Sequence, residues 1–254
     1  MRIDPNKKHI EVCITPENYH LYKEYNEIVV VIDVLRATSA ICTAFDYGVK
    51  SIIPVSTIEE AREYQANGFI AAAERNGEIV EGFDLGNSPF GFMGEELKGQ
   101  KVVLTTTNGT KCINMARDGG QVVVGSLLNL DALCNWLKKQ DKNILLLCSG
   151  WKGKFNLEDS ICAGAIVDQL LESNRYQSVE DSSIGAKFLY IHSKQNYLGF
   201  LKASAHRRRL KKLNMNADIK LCLIPNQSEA IPVLQGNEIV NINVKKPRAF
   251  KVTF

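Results

Sequence analysis

Five carboxylates stand where a site forms in an α/β protein. Asp33 and Glu74 follow apolar runs that read as strands, Asp84 lies in a glycine-rich loop, and Glu158 and Asp159 open a predicted helix. Two or three of them converging would hold a hard divalent cation such as magnesium. That ion binds through one or two carboxylates and leaves its other positions to water and substrate oxygens. Taken singly, each serves as well in a cap or a surface salt bridge, and Asp159 suits a helix N-terminus. Arg36 and Arg75 follow strands beside Asp33 and Glu74. Arginine suits bidentate recognition of carboxylate, sulfonate or phosphate, and each could equally pair with the adjacent acid. The stretch Thr105-Thr106-Thr107-Asn108-Gly109-Thr110 lies between an apolar run and a helical pattern. Its hydroxyls, its backbone N–H groups and a helix N-terminus together suit an anion. Four threonines are more than an N-cap requires. Lys152 and Lys154, in a glycine-containing loop, could close over an anion or stay solvated.

Several familiar schemes are excluded. Asp33-Val34-Leu35 lacks the second aspartate that a haloacid-dehalogenase-type nucleophile requires. No G-x-x-x-x-G-K-[ST] loop, no G-x-G-x-x-G opening a helix and no G-x-S-x-G elbow occurs. His9, His20, His192 and His206 show no metal spacing, and Cys148 has no histidine in a motif with it. The basic residues Arg207, Arg208, Arg209, Lys211 and Lys212 form one predicted helix without a nucleic-acid recognition motif. A net charge of +3 also fits a local acid-binding site better than a nucleic-acid surface.

The elements that must position these groups alternate. Strands are predicted at 9–14, 27–33, 51–55, 101–104, 121–124 and 143–148. Helices are predicted at 36–45, 57–67, 111–117, 129–139 and 157–171, with a short one from Pro89 to Leu97. Thr57 and Glu60 match a capping box, with Gly68 after the helix. The β-branched run Ile28–Ile32 suits a central parallel strand covered on both faces. The alternation gives a layered α/β/α fold, a mostly parallel sheet with helices on both faces. An irregular α+β part follows, with a polar surface connection at 173–183, a basic helix at 203–213 and short strands at 220–224, 230–234 and 238–242. Ligands in such sheets bind beyond the carboxyl ends of the strands, where Asp33, Glu74, the threonine turn and Ser149-Gly150 fall.

The chain of 254 residues accommodates one α/β domain over 1–254, or two packed subdomains divided near 125–145. Its seven cysteines are odd in number and scattered, which fits free thiols in a reducing cytoplasm. The N-terminus has no apolar stretch of signal-peptide length, and no run is long enough to span a membrane. Homo-oligomerisation stays open.

Four segments, in order, resemble the signatures of the 2-phosphosulfolactate phosphatases. They are Ile32-Asp33-Val34-Leu35-Arg36-Ala37-Thr38-Ser39; Glu74-Arg75 with Gly82-Phe83-Asp84-Leu85-Gly86-Asn87-Ser88-Pro89; the threonine turn; and Ser149-Gly150 through Phe155 with Leu157-Glu158-Asp159 and Ala163-Gly164. Arg208-Arg209-Leu210 and Ile231-Pro232-Val233-Leu234 resemble the family's C-terminal end. Asn76 and Ser149 depart from the pattern, and the first 26 residues and 173–183 show no match.

The resemblance implies a magnesium-dependent phosphatase that removes phosphate from 2-phospho-3-sulfolactate, a step of the coenzyme M type. The alternatives are a phosphatase of another small 2-phospho acid and a non-catalytic anion-binding domain. The implied partner is a small phosphorylated acid, with no nucleic acid and no membrane. Asp33, Glu74, Asp84 and Asp159 are the implied magnesium ligands, and Asp33, Arg36, Glu74 and Arg75 the implied catalytic set. Ser39, Asn87, Ser88, Thr106, Thr107, Asn108, Gly109, Thr110 and Gly150 are the implied substrate contacts.

Overall fold

A computed structural model describes residues 3–22, 27–178 and 180–243. The strands are β1 (Lys8–Cys13), β2 (Ile28–Ile32), β3 (Ser51–Pro54), β4 (Ile70–Arg75), β5 (Glu78–Ile79), β6 (Lys101–Thr105), β7 (Gln121–Gly125), β8 (Ile144–Cys148), β9 (Tyr176–Gln177), β10 (Pro232–Gln235) and β11 (Glu238–Asn241). The helices are α1 (Ala37–Asp46), α2 (Ile58–Ala66), α3 (Gly109–Ala116), α4 (Leu130–Leu137), α5 (Leu157–Glu172), α6 (Asp181–Ser193), α7 (Tyr197–Phe200), α8 (Ala205–Lys212) and α9 (Asn216–Cys222).

The strands form one sheet in the order β5-β4-β6-β3-β11-β10-β7-β2-β8-β1-β9. It contains two parallel blocks. One is β4-β6-β3, and the other is β7-β2-β8-β1-β9. The C-terminal hairpin β10–β11 lies between them, antiparallel to β7 on one side and to β3 on the other. The blocks therefore run in opposite directions. Sheet twist of about 20–25° per strand accumulates to roughly 100–125° between β6 and β2. This rotation is what lets the carboxyl ends of opposed blocks meet. Residues 125–145 run from β7 through α4 to β8, and both strands pair with β2.

The central strands have two covered faces, as their continuous apolar runs predict. In β2, Ile28, Val30 and Ile32 pack with α4 and α5 through Leu133, Ile161 and Ile166. Val29 and Val31 face the other way and pack with α1 and α3 through Ile41 and Ile113. Period-two alternation in the strand thus feeds two cores at once. The architecture is α/β/α. All seven cysteines are buried and unpaired, as small hydrophobes in these cores. The capping box at Thr57 and Glu60 is present.

The C-terminal part differs from the sequence expectation. Residues 220–224 were expected as a strand, yet Asn216–Cys222 is a helix. A short apolar run does not separate the two by periodicity, and here Asp218, Ile219, Leu221 and Cys222 are buried at helical spacing. The 173–183 connection contains an edge strand, β9, and the start of α6. Gly164 admits α6 against α5, since a Cβ there would lie 2.0 Å from the Ala186 carbonyl oxygen. No helix among the described residues is long and apolar enough to cross a membrane.

Candidate active site

Asp33 follows β2 directly and takes its place from the start of α1. Its backbone N–H donates to Thr38 Oγ1 (3.1 Å), the Thr38 hydroxyl donates to the Asp33 carbonyl (2.8 Å), and Ala37 N–H donates to Asp33 Oδ1 (3.4 Å). The first turn of α3 closes over it. A Cβ on Gly109 would lie 2.5 Å from Ala37 Cβ and 2.9 Å from Asp33 Oδ2, so only glycine permits this approach. Asp33 is 7 % exposed. Burial pushes its carboxyl up to about 6; His206 lowers it, Glu74 raises it, and the Ala37 N–H and Glu158 act in opposite senses with smaller effect.

Glu74, near the end of β4, accepts four hydrogen bonds. Gly77 N–H (2.6 Å) and the Thr107 hydroxyl (3.0 Å) reach Oε1; Thr107 N–H (3.1 Å) and Asn87 Nδ2 (3.4 Å) reach Oε2. The threonine turn therefore already holds an anion, and that anion is the protein's own carboxylate. The other hydroxyls of the turn are also engaged. Thr105 Oγ1 accepts from Arg75 (2.9 Å), Thr106 and Thr110 each accept the other's N–H (3.1 and 2.9 Å), and Thr110 donates to the Thr106 carbonyl (3.3 Å).

Arg36 is 3 % exposed. It forms a buried ion pair with Asp218 on α9 and donates to the Gly77 carbonyl at 2.5 Å. Asp218 also accepts from Ser88 Oγ at 3.1 Å. Arginine and aspartate thus tie β2, the loop after β4 and α9 together. Asn87 keeps its Oδ1 buried and unpartnered.

These groups share one small opening, lined by Asp33, Leu35, Arg36, Glu74, Gly77, Asn87, Asn108, Trp151, His206 and Leu210. Larger grooves lie at Ile53–Ser56 beside Arg117 and at Trp136 beside Arg175, and neither gathers buried carboxylates.

The remaining expected residues are placed elsewhere. Asp159 is fully buried behind the opening, where Oδ1 accepts Val34 N–H (2.9 Å) and Oδ2 accepts Gly150 N–H (3.0 Å) and Asn156 Nδ2 (2.9 Å). Burial, then the charges of Asp33 and Glu158, hold its carboxyl well above the ordinary range. Asp84 is exposed. Arg75 turns to Thr105 and its neighbour's carbonyl. Ser39 donates to the Val34 carbonyl and contacts Ser126. Asn108 lines the opening and accepts from Lys152 N–H at 3.2 Å. No trio of His, Cys, Asp or Glu among the described residues is gathered as a metal cage.

Two participants come from outside the strand-end pattern, Asp218 and His206, whereas Trp151 directly follows Ser149-Gly150 at the end of β8. The sequence held one usable signal for His206. Within the strongly basic α8 only His206 and Leu210 are buried, and the i, i+4 spacing that puts both on one face is visible in the sequence.

The fold and the opening define an α/β enzyme that works on a small polar ligand at the carboxyl ends of parallel strands. Residues 13–237 match the profile of the 2-phosphosulpholactate phosphatases. A probable 2-phosphosulfolactate phosphatase of Caldanaerobacter subterraneus is 39% identical over 228 residues, covering 85% of this chain and 94% of that protein. One of Thermotoga maritima is 41% identical over 81% of this chain and 88% of its own. One of Clostridium beijerinckii is 31% identical over 91% and 98%. The chain belongs to the 2-phosphosulpholactate phosphatase family.

Proposed function

We propose that this protein hydrolyses 2-phospho-3-sulfolactate to 3-sulfolactate and phosphate, as a magnesium-dependent enzyme of the cytoplasm. The observation that carries the chemistry is the gathering of the buried charged side chains of Asp33, Glu74 and Arg36 around one small opening. The relatives' names supply the substrate.

The donor set fits magnesium in its usual sparing mode, one or two carboxylates with the rest left to water and substrate. Asp33 carries a single protein hydrogen bond on its carboxylate, and Asn87 Oδ1 carries none. These two would hold the ion. Glu74, with four bonds accepted, would act from behind by fixing Asn87 and Thr107. Asp84 and Asp159 have no place in this set, the first being exposed and the second committed to Val34, Gly150 and Asn156. When bound, the ion supplies Lewis-acid neutralisation of phosphoryl charge.

The residues do the rest. Arg36, immobilised by Asp218 and Gly77, adds fixed positive charge without reorganisation during reaction. Asn108, which lines the opening, would present its side-chain amide to phosphate oxygens. Asp33, binding the ion through one carboxylate oxygen, would take the proton of the attacking water on the other.

Phosphate release from 2-phospho-3-sulfolactate, with and without magnesium and beside phospholactate and phosphoglycolate, tests this reading. Magnesium-dependent release that favours the sulfonate is the expected result. Equal rates on all three keep the phosphatase and remove the substrate assignment. No release from any of them overturns the proposal.

A further inference from the structure

One pair of groups at the opening has no part in the chemistry above. Glu158 on α5 is fully buried, and its oxygens go to α8. Oε1 lies 2.6 Å from His206 Nδ1, and Oε2 accepts the Ser204 hydroxyl at 3.1 Å. Ser204 in turn caps α8, accepting Arg207 N–H at 3.2 Å. The His206 ring packs on Trp151 with centroids 5.2 Å apart, and the Arg209 guanidinium lies 4.3 Å from the same indole centroid. The imidazole is thus fixed in position and in tautomer. Nδ1–H donates to Glu158, which leaves Nε2 as the second nitrogen of a residue that lines the opening with Asp33.

Phosphate-ester hydrolysis needs a proton at the leaving oxygen as well as a base for water. Among the groups of the opening few could donate it. Arg36 does not give up its protons. Glu74 accepts hydrogen bonds on both oxygens. Asp33 is occupied as the base. His206 remains.

We propose that His206 is the general acid of the reaction and that Glu158 is its positioning residue; this rests on the phosphatase reading above. Water oxygen bonds to phosphorus as the bond from phosphorus to the C2 oxygen breaks. The electron pair of that bond stays on the C2 oxygen, which takes the proton from Nε2. The proton released by water goes to Asp33. Ester and water become alcohol and phosphate, and proton exchange with solvent resets Asp33 and His206. With Nδ1–H given to Glu158, a proton on Nε2 makes an imidazolium whose charge Glu158 offsets.

His206→Asn separates this role from a tether between α5 and α8. The asparagine amide stands where Nδ1 stood and can still donate to Glu158, while Nε2 is gone. Turnover of 2-phospho-3-sulfolactate by the magnesium-supplied full chain should fall by about 10²–10⁴-fold. The loss should be at least about tenfold smaller on acetyl phosphate, whose acetate departs without a proton. His206→Gln, which gives up the Glu158 contact but keeps an amide near Nε2, should show the same dependence on leaving group and guards against a folding defect in the first variant. Loss that is equal on both substrates, or turnover of His206→Asn within about threefold of wild type, overturns the role of His206 alone. Wild-type protein that releases phosphate from neither substrate overturns the phosphatase reading and the general acid with it.

Discussion

At the scale of the residue, Asp33 is where activity and stability oppose each other. Its carboxyl is raised to about 6 in the folded protein, chiefly by burial, against about 3.9 in an unfolded chain. A raised carboxyl costs the folded state nothing while both states are protonated, below about pH 4. The cost grows as pH rises through about 6 and is complete above it. Its ceiling is about 3 kcal/mol at 1.36 kcal/mol per pKa unit. Asp33→Asn removes the ionisation and keeps an acceptor for the Ala37 N–H. In the presence of a chelator it should melt higher than wild type at pH 7.5, and the advantage should vanish near pH 4. Its turnover should fall more than about tenfold. An advantage of equal size at both pH values would assign the effect to packing instead. Asp33, Arg36, Glu74 and Asn108 were legible because each stands at or after a strand on the ligand-binding edge, whereas Asn87 was implied only by the family resemblance. His206 and Asp218 were not legible. His206 lines the opening from α8 and Asp218 holds Arg36 from α9, helices whose docking depends on contacts with residues over forty positions away.

At the scale of the element, the threonine turn corrects an inference from residue type. Four hydroxyls beside a helix N-terminus suggest a phosphate cradle, but each has a protein partner. The turn is a brace: Thr107 holds Glu74, and Thr106 with Thr110 closes the first turn of α3 in the reciprocal manner of a cap. Thr110→Val keeps the volume of this fully buried side chain and strands the Thr106 N–H. The expected cost is about 1–3 kcal/mol of stability, read by urea denaturation, with KM for the phospho-acid within about threefold of wild type. A tenfold or larger rise in KM, worth about 1.4 kcal/mol, would return this hydroxyl to the ligand. Element type itself was legible where runs were long and continuous, as in β2, β8 and α5. It failed at 220–224, where a few apolar residues fit either period and only packing against Arg36 and the neighbouring loop decides.

At the scale of the whole molecule, the site depends on a hairpin that touches none of it. Asp33 belongs to the β7-β2-β8-β1-β9 block and Glu74 to the β4-β6-β3 block, and β10–β11 is the sheet connection between them. Both strands of the hairpin were expected from the sequence, at 230–234 and 238–242, but their place as a bridge was not, because their partners lie more than a hundred residues upstream. Its grip is apolar. Val233 enters the core shared with β2 and α5, and Ile239 enters the core on the opposite face beside Ile52. Both are fully buried. If the hairpin makes the two blocks one cooperative unit, weakening it lowers the stability of both together. Ile239→Ala should cost about 2–5 kcal/mol. In urea this should appear as one transition at a lower midpoint with an unchanged slope, the mark of a stability change without a change in the surface exposed. Tryptophan emission and far-ultraviolet dichroism should shift together, since Trp136 and Trp151 both lie near the β8 side of the sheet while the dichroism samples every element. Two separated transitions would instead divide the chain into blocks that fold alone, and the hairpin would then be an ornament on their contact.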